Sequence, residues 1–377
     1  MTATGIIFSN VHDDNIPELT RGRTIASVPF GCRYRFIDFT LSNMVNSDIF
    51  NICVITSNNY LSLMDHIGSG KDWDLARRSG GIKMLPPNVG SGERAVSNGP
   101  LTRLSSLKSV NYALERITDE YVVLADCDVI CNLDFRDMIA YHRRENADIT
   151  FAVKTMTLTP QTCTRSVLFG ADEDGRIRDV MMYPNHFEGE AEVSLNLAVM
   201  RTDYLKKMVT DSLARDYTSM THDVVMRNLG TSNFRVYRYD GYFATVSSLA
   251  DYFRYSMDLL SDSEARRSLF ETPNRPIYTK VRNSEPTYYS TESRVSDSLL
   301  ADGCHIEGTV EHSILFRGVR VGKGSVVRNC ILRQDTVVGE NASLNCVITD
   351  KNVRLSDAVS LSAVAAQPYY IPKNRVL

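Results

Sequence analysis

The chain has 377 residues, 43% of them hydrophobic and 23% charged, with a net charge of -3. That is enough chain for a sizeable core and more than one domain. The charge is too balanced for a basic nucleic-acid surface, and no apolar run nears the roughly 20 residues of a membrane span, so neither partner is expected.

The N-terminus, MTATGIIFSN, enters a strand pattern at once and lacks the basic start and cleavage site of a signal peptide. Eight scattered cysteines, mostly in apolar runs, suit free buried thiols and a reducing cytoplasm. Cys127 and Cys131 have the spacing of a ligand pair but no second pair nearby.

Apolar, β-branched runs at Gly5–Phe8, Ile52–Thr56 and Tyr121–Ala125 predict buried parallel strands, and Ile149–Val153 predicts another strand. Between them, amphipathic patterns predict helices over Leu104–Ile117 and Asp134–Arg144. Gly170–Val180, with a turn at Asp172–Gly175, reads as a hairpin. Helices at Asp203–Ala214 and Thr221–Asn228, a strand at Phe234–Tyr239 and a helix at Ser248–Leu260 close a doubly wound, Rossmann-like α/β domain, residues 1–269. Residues 270–292 carry three prolines and no clean period, as in an ordered linker. From 293 to 377, short aliphatic pairs recur every five to six residues between Gly, Asn, Asp and Ser turns. This is the hexapeptide signature of a left-handed parallel β-helix; a meander of short hairpins is the competing reading, and the recurring Val-Gly steps count against it.

The loop after the first strand is where an α/β protein would seat a nucleotide phosphate, using glycines for close backbone approach and a cation for charge. Ser9–Asn15 reads SNVHDDN, with two aspartates and no glycine, lysine or arginine. Gly68–Lys71 (GSGK) lacks P-loop spacing and reads as a surface turn before Trp73. Gly80–Gly99, rich in Gly, Pro and Ser, reads as a loop over the carboxyl edge of the sheet. Asp126 and Asp128 end a buried strand, where carboxylates either hold a divalent metal or cap the next turn. No histidines form a spaced metal pair; His305 and His312 lie in the repeat region, where a hexapeptide acyltransferase keeps a base.

Arg23–Asn43 reads RTIASVPFGCRYRFIDFTLSN. It resembles the glucose-1-phosphate adenylyltransferase pattern Arg-Ala-Lys-Pro-Ala-Val-Pro-Phe-Gly-Gly-x-Tyr-Arg-x-Ile-Asp-Phe-x-Leu-Ser-Asn. HIGSGKDWDL from His66, GGIKMLPP from Gly80 and the repeat region from Val295 are similar to the same family, in order, over nearly the whole chain. The resemblance implies a nucleotidyltransferase domain joined to the β-helix, and a family that makes ADP-glucose and pyrophosphate from ATP and glucose 1-phosphate for glycogen synthesis.

It also implies which positions have changed. The family's Gly-Gly-x-Gly-Thr-Arg loop falls on Asn10, Val11, His12, Asp13, Asp14 and Asn15, and the lysine of Arg-Ala-Lys-Pro is Ile25. The adenine-side Gly-Thr-Ala is absent near Arg103–Ser105. The family's metal aspartate is kept as Asp128, while its partner falls on Thr245. The sugar-binding glutamate and phosphate-binding lysine fall on Met182 and Tyr183. Phosphoryl-type transfer depends on placed charge, so these losses together remove most of the means of stabilising its transition state.

The pattern resembles GlgD-type partner subunits. Such a subunit would need no cofactor of its own, Mg2+ belonging to the catalytic partner, with which it would form a heterotetramer; a homo-oligomer alone is the other expected assembly. The family's effector-anion residues are partly kept: Arg23 and Arg35 remain as candidates for a sugar-phosphate or anion site, and the preceding lysine is Gly22. Two other readings stand beside this one. An active nucleotidyltransferase would have to recruit Arg21 or Arg23 to the loop, and an acyltransferase would use His305 or His312.

Overall fold

The computed structural model describes residues 2–86 and 101–377. Strand β1 (Ala3–Phe8) is buried from Thr4 onward and lies between β2 (Asn51–Ile55) and β4 (Tyr121–Asp126), parallel to both. Beyond β2 runs β3 (Gly81–Leu85), also parallel. On the other side β8 (Gly189–Arg201) runs antiparallel to β4 and carries β5 (Ile149–Leu158) and β6 (Val167–Ala171). The hairpin of β6 with β7 (Ile177–Met182), and β9 (Phe234–Arg238) beside β5, complete a nine-stranded sheet.

Because successive side chains leave opposite faces of a strand, each strand feeds two cores. Ile6, Phe8, Val122 and Leu124 pack beneath α2 (Arg103–Ser109) and α4 (Thr202–Ala214). Ile7, Val54, Val123 and Ala125 pack beneath α1 (Phe36–Asn46) and α3 (Phe135–Arg144). Gly5 is small for a reason: a Cβ there would lie 2.4 Å from Met44 Sδ of α1. This is the doubly wound domain that the runs of Val and Ile predict.

Three local expectations change. The helix predicted over Leu104–Ile117 breaks at Val110, which leaves helical geometry (φ -114°, ψ 17°) and splits it into α2 and Asn111–Leu114. The segment from Thr221 is a wide π-type turn, Met220–Val225, followed by a 3-10 turn, Met226–Asn228. Gly81–Leu85 of the predicted loop is the edge strand β3; residues 87–99 of that loop lie outside the described residues.

The C-terminal region is a left-handed β-helix. Three parallel five-stranded sheets begin at Tyr288–Tyr289, Arg294–Ser296 and Leu299–Leu300, the first of these inside the stretch read as a linker. Ile306, Val321, Val338 and Leu355 fall one above another along one sheet and fill the prism with Val310, Val327 and Leu344 from the next. Its corners are left-handed turns at Asp297, His312, Asn329 and Cys346, all at positive φ. Among the described residues no helix is long and apolar enough to cross a membrane.

The domains share a core. Phe30, Phe36 and Phe39 meet Tyr252 and Phe253 of α5 (Leu249–Ser261), and Ile314, Phe316, Ile331 and Ile348 of the β-helix. Inside this contact Arg23 grips both oxygens of Asp350, at 2.9 and 2.7 Å. Arg333, fully buried, lies over the Tyr252 ring at 5.2 Å and 3.5 Å from the same carboxylate. Burial alone would raise the Asp350 carboxyl, but Arg333 and Arg23 outweigh it and hold it at about 2. Removing one member of a buried ion cluster leaves uncompensated charge. Asp350→Asn is therefore expected to cost about 3 kcal/mol in chemical denaturation at neutral pH. The depressed carboxyl stabilises the fold above the ordinary value of 3.8, and that contribution is lost as pH falls toward about 2, so the gap between wild type and variant should close over that range.

Candidate nucleotide site and its internal ion pairs

β1 delivers the chain to the carboxyl edge of the sheet, and the next residues fold tightly beside the end of β4. Asn10 holds the turn from within: its Oδ1 accepts from Ser57 N (2.9 Å) and Ser9 Oγ (2.8 Å), and its Nδ2 donates to Asp13 Oδ2 (2.7 Å). Asp13 Oδ1 accepts from the backbone N–H of buried Ile25 (2.7 Å). Burial raises the Asp13 carboxyl to about 6 against these hydrogen bonds. The two aspartates therefore differ: Asp13 is a stitch across the loop, whereas Asp14 and Asn15 are exposed. Val11 packs against the core under α2 and α4.

His12 turns inward. Its Nε2 lies 2.7 Å from Asp126 Oδ2 and 3.8 Å from Asp128 Oδ2. From the first turn of α2, Arg103 closes on the same carboxylate: Nε donates to Oδ1 and Oδ2 of Asp126 (2.9 and 3.0 Å), and Nη2 also donates to Oδ2. Asp126 and Asp128 are buried, at 1% and 2% exposure. Burial lowers the His12 pKa, but Asp128 and Asp126 outweigh it, so the imidazole stays charged above its ordinary range. Burial raises Asp126, yet Arg103 and His12 hold it well below the usual carboxylate range. Asp128 stays above that range, through burial and the Asp126 charge.

One guanidinium and one imidazole thus face two carboxyl groups, so the basic and acidic side chains of the site are paired with one another. A triphosphate entering here finds both cations committed. Of the cations that an active enzyme would draw from elsewhere, Arg23 is bound to Asp350, and Arg21 is exposed.

The antiparallel pair Val129–Cys131 and Phe243–Thr245 places Thr245 opposite Val129, with Val246 N donating to Asp128 O (3.1 Å). The chain therefore brings Thr245 beside Asp128, but with a hydroxyl. Met182 ends β7, and Tyr183, half exposed at positive φ, follows it. Arg35 lines a different hollow, between the domains, with Arg33, Lys280, Arg282, Arg317 and Lys351; Arg23 is not in its wall. Burial, with Arg35, Arg23 and Arg282 nearby, lowers the Lys351 ammonium to about 8. In the β-helix, His312 pairs with Asp297 (2.5 Å) at a coil corner, and His305 stacks on Tyr288 at 4.5 Å. Cys127 and Cys131 are buried free thiols.

The fold is that of a nucleotidyltransferase-type α/β domain carrying a hexapeptide β-helix. A nucleotidyl transferase family model matches residues 16–224, and a GlmU-like C-terminal hexapeptide model matches residues 284–365. The chain is 31% identical over 376 residues to the glycogen biosynthesis protein GlgD of Bacillus subtilis, covering 99% of this chain and 96% of that one. It is 36% identical over 349 residues to GlgD of Geobacillus stearothermophilus, covering 86% and 82%. Against the glucose-1-phosphate adenylyltransferase of G. stearothermophilus it is 34% identical over 314 residues, covering 82% and 79%. The chain belongs to the glucose-1-phosphate adenylyltransferase family, with GlgD among its full-length relatives.

Magnesium, expected in a catalytic member, needs hard oxygen ligands in near-octahedral array. Here the second carboxylate position is Thr245, Asp126 is committed to Arg103, and an imidazole nitrogen has entered. These residues do not fit magnesium, and no catalytic step follows through it.

The ion pairs make a stability test. Arg103→Met strands the buried Asp126 carboxylate and should cost about 3 kcal/mol in urea denaturation. Adding Asp126→Asn to Arg103→Met removes the stranded charge and should restore most of the loss.

Proposed function

We propose that this chain is a cytoplasmic, activating subunit of glucose-1-phosphate adenylyltransferase with little or no turnover of its own. It would assemble with a catalytic subunit as a heterotetramer, and the magnesium chemistry would belong to that partner. The observation that carries the reading is the pairing of Asp126 and Asp128 with Arg103 and His12, which leaves neither of these two cations free to receive ATP. The loss of the second metal carboxylate at Thr245 and of the sugar-phosphate lysine at Tyr183 supports it.

A regulatory anion is part of the proposal. Arg35, Lys280, Arg282 and Lys351 converge between the domains, and cations crowded in a partly buried hollow are offset best by a phosphate or sugar phosphate. Of the two arginines expected at an anion site, Arg35 lines this hollow and Arg23 bridges the domains instead.

The test is ADP-glucose formation from ATP and glucose 1-phosphate with Mg2+. The purified chain alone should give no turnover above background, and mixing it with the catalytic subunit from the same cell should raise that subunit's activity. Strong turnover by the chain alone, abolished in Asp128→Ala, would overturn the reading.

A further inference from the structure

The basic hollow between the domains holds unbalanced charge. It encloses about 460 Å3 and is walled by Arg33, Arg35, Lys280, Arg282, Arg317 and Lys351, with no aspartate or glutamate among the described residues of its wall. Part of that charge is answered locally. Arg317 Nε donates to both oxygens of Asp302 (3.1 Å each), Arg35 Nη1 donates to the carbonyl and hydroxyl of Ser62 (2.7 and 3.0 Å), and Lys280 donates to the carbonyl of Asp65. Arg33 and Arg282 have no ion-pair partner among the described residues. Like charges held this close disfavour the charged form of any group that can give up its proton. An arginine cannot do so, whereas a lysine can.

We propose that the hollow takes its anion together with a proton, and that Lys351 is the group that receives the proton. The proton step rests on the hollow's role as an anion site. The root of Lys351 is fixed: its backbone N–H donates to Asp350 Oδ1 (2.7 Å), and its carbonyl accepts from Asn374 N (3.0 Å). The adjacent carboxylate, Asp350, is already shared by Arg23 and Arg333. Burial, with Arg35, Arg23 and Arg282, lowers the Lys351 ammonium to about 8 against the pull of Asp350. Other groups in the same wall keep one state between pH 7 and 9. Burial pushes the Cys32 thiol up to about 12 and the Tyr34 phenol upward, and it pushes the His66 imidazole down, so all three are neutral. Burial lowers Arg35 only to about 10, so that guanidinium stays charged. An anion against Lys351 supplies the missing counter-charge and raises the affinity of the amine for its proton. The empty hollow loses a cation as pH rises through about 8, while the occupied hollow keeps it. Anion affinity is therefore full below that value and falls above it, with one proton passing from solvent to Lys351 Nζ on binding.

The test is calorimetric titration of the full chain with sulfate, whose own charge does not change between pH 7 and 9. Affinity should fall about tenfold over that range. At pH 8.5 the heats in two buffers of different ionisation enthalpy should differ by the uptake of more than about half a proton per sulfate. Lys351→Arg keeps the charge without the titration, so its affinity should be level from pH 7 to 9 and its heat independent of buffer. Lys351→Met should bind sulfate about tenfold more weakly at pH 7 and should also lose the pH dependence. A level wild-type affinity, or a pH dependence that survives in Lys351→Arg, would overturn the proton step and leave the hollow as an anion site. No saturable sulfate binding at pH 7 would overturn both.

Discussion

A carboxylate at the buried end of the central strand has to be neutralised, and the source of the neutralising charge decides what the site can do. Asp126 and Asp128 sit at the carboxyl edge of the sheet at 1% and 2% exposure. In an open transferase site of this shape, metal and ligand would supply the balance. Here the protein supplies it with Arg103 from a helix start and His12 from the first loop. Two charges 3–4 Å apart in a desolvated cleft interact far more strongly than they would in water, so an incoming triphosphate would have to break these pairs before making its own. The loss of glycines matters less than the capture of the cleft by its own side chains. Asn10 and Asp13 hold the loop in the shape that makes this capture possible.

A second buried charge cluster ties the same loop region to the β-helix. Arg23 lies just past that loop, and its partner Asp350 belongs to the β-helix, with Arg333 beneath. The nucleotide-side segment and the β-helix are thus parts of one rigid contact, continuous with the shared aromatic and aliphatic core around Tyr252. The basic hollow with Arg35 and Lys351 opens beside it, and burial with neighbouring cations lowers Lys351 to about 8.

The architecture was readable in the sequence because it follows from short-range pattern. Uninterrupted runs such as Gly5–Phe8 and Tyr121–Ala125 can only be buried strands in this context, and the repeat of short aliphatic pairs after Val295 specifies stacked coils. The hairpin at Asp172–Gly175 was equally local. Boundaries were less legible: Val110 breaks a helix that periodicity alone runs through, and Gly81–Leu85 becomes a strand only because β2 is there to pair with it. The site was half legible. The altered loop positions and Asp128 stood out against the family pattern, but Asp13 and Asp14 look identical in sequence, and only folding makes one a partly buried stitch and leaves the other in water. Arg103, His12 and Asp126 are separated by up to 114 residues and share no spacing rule, so their meeting had no local signal. The same holds for Arg23 and Asp350, 327 residues apart.

The central claim is that the nucleotide cleft is closed by its own charges. The most direct measurement is isothermal titration of the isolated chain with ATP and Mg2+. The account predicts no saturable heat up to millimolar ATP, corresponding to binding weaker than about -4 kcal/mol. Saturable binding with a micromolar Kd, lost in Asp128→Ala, would contradict it.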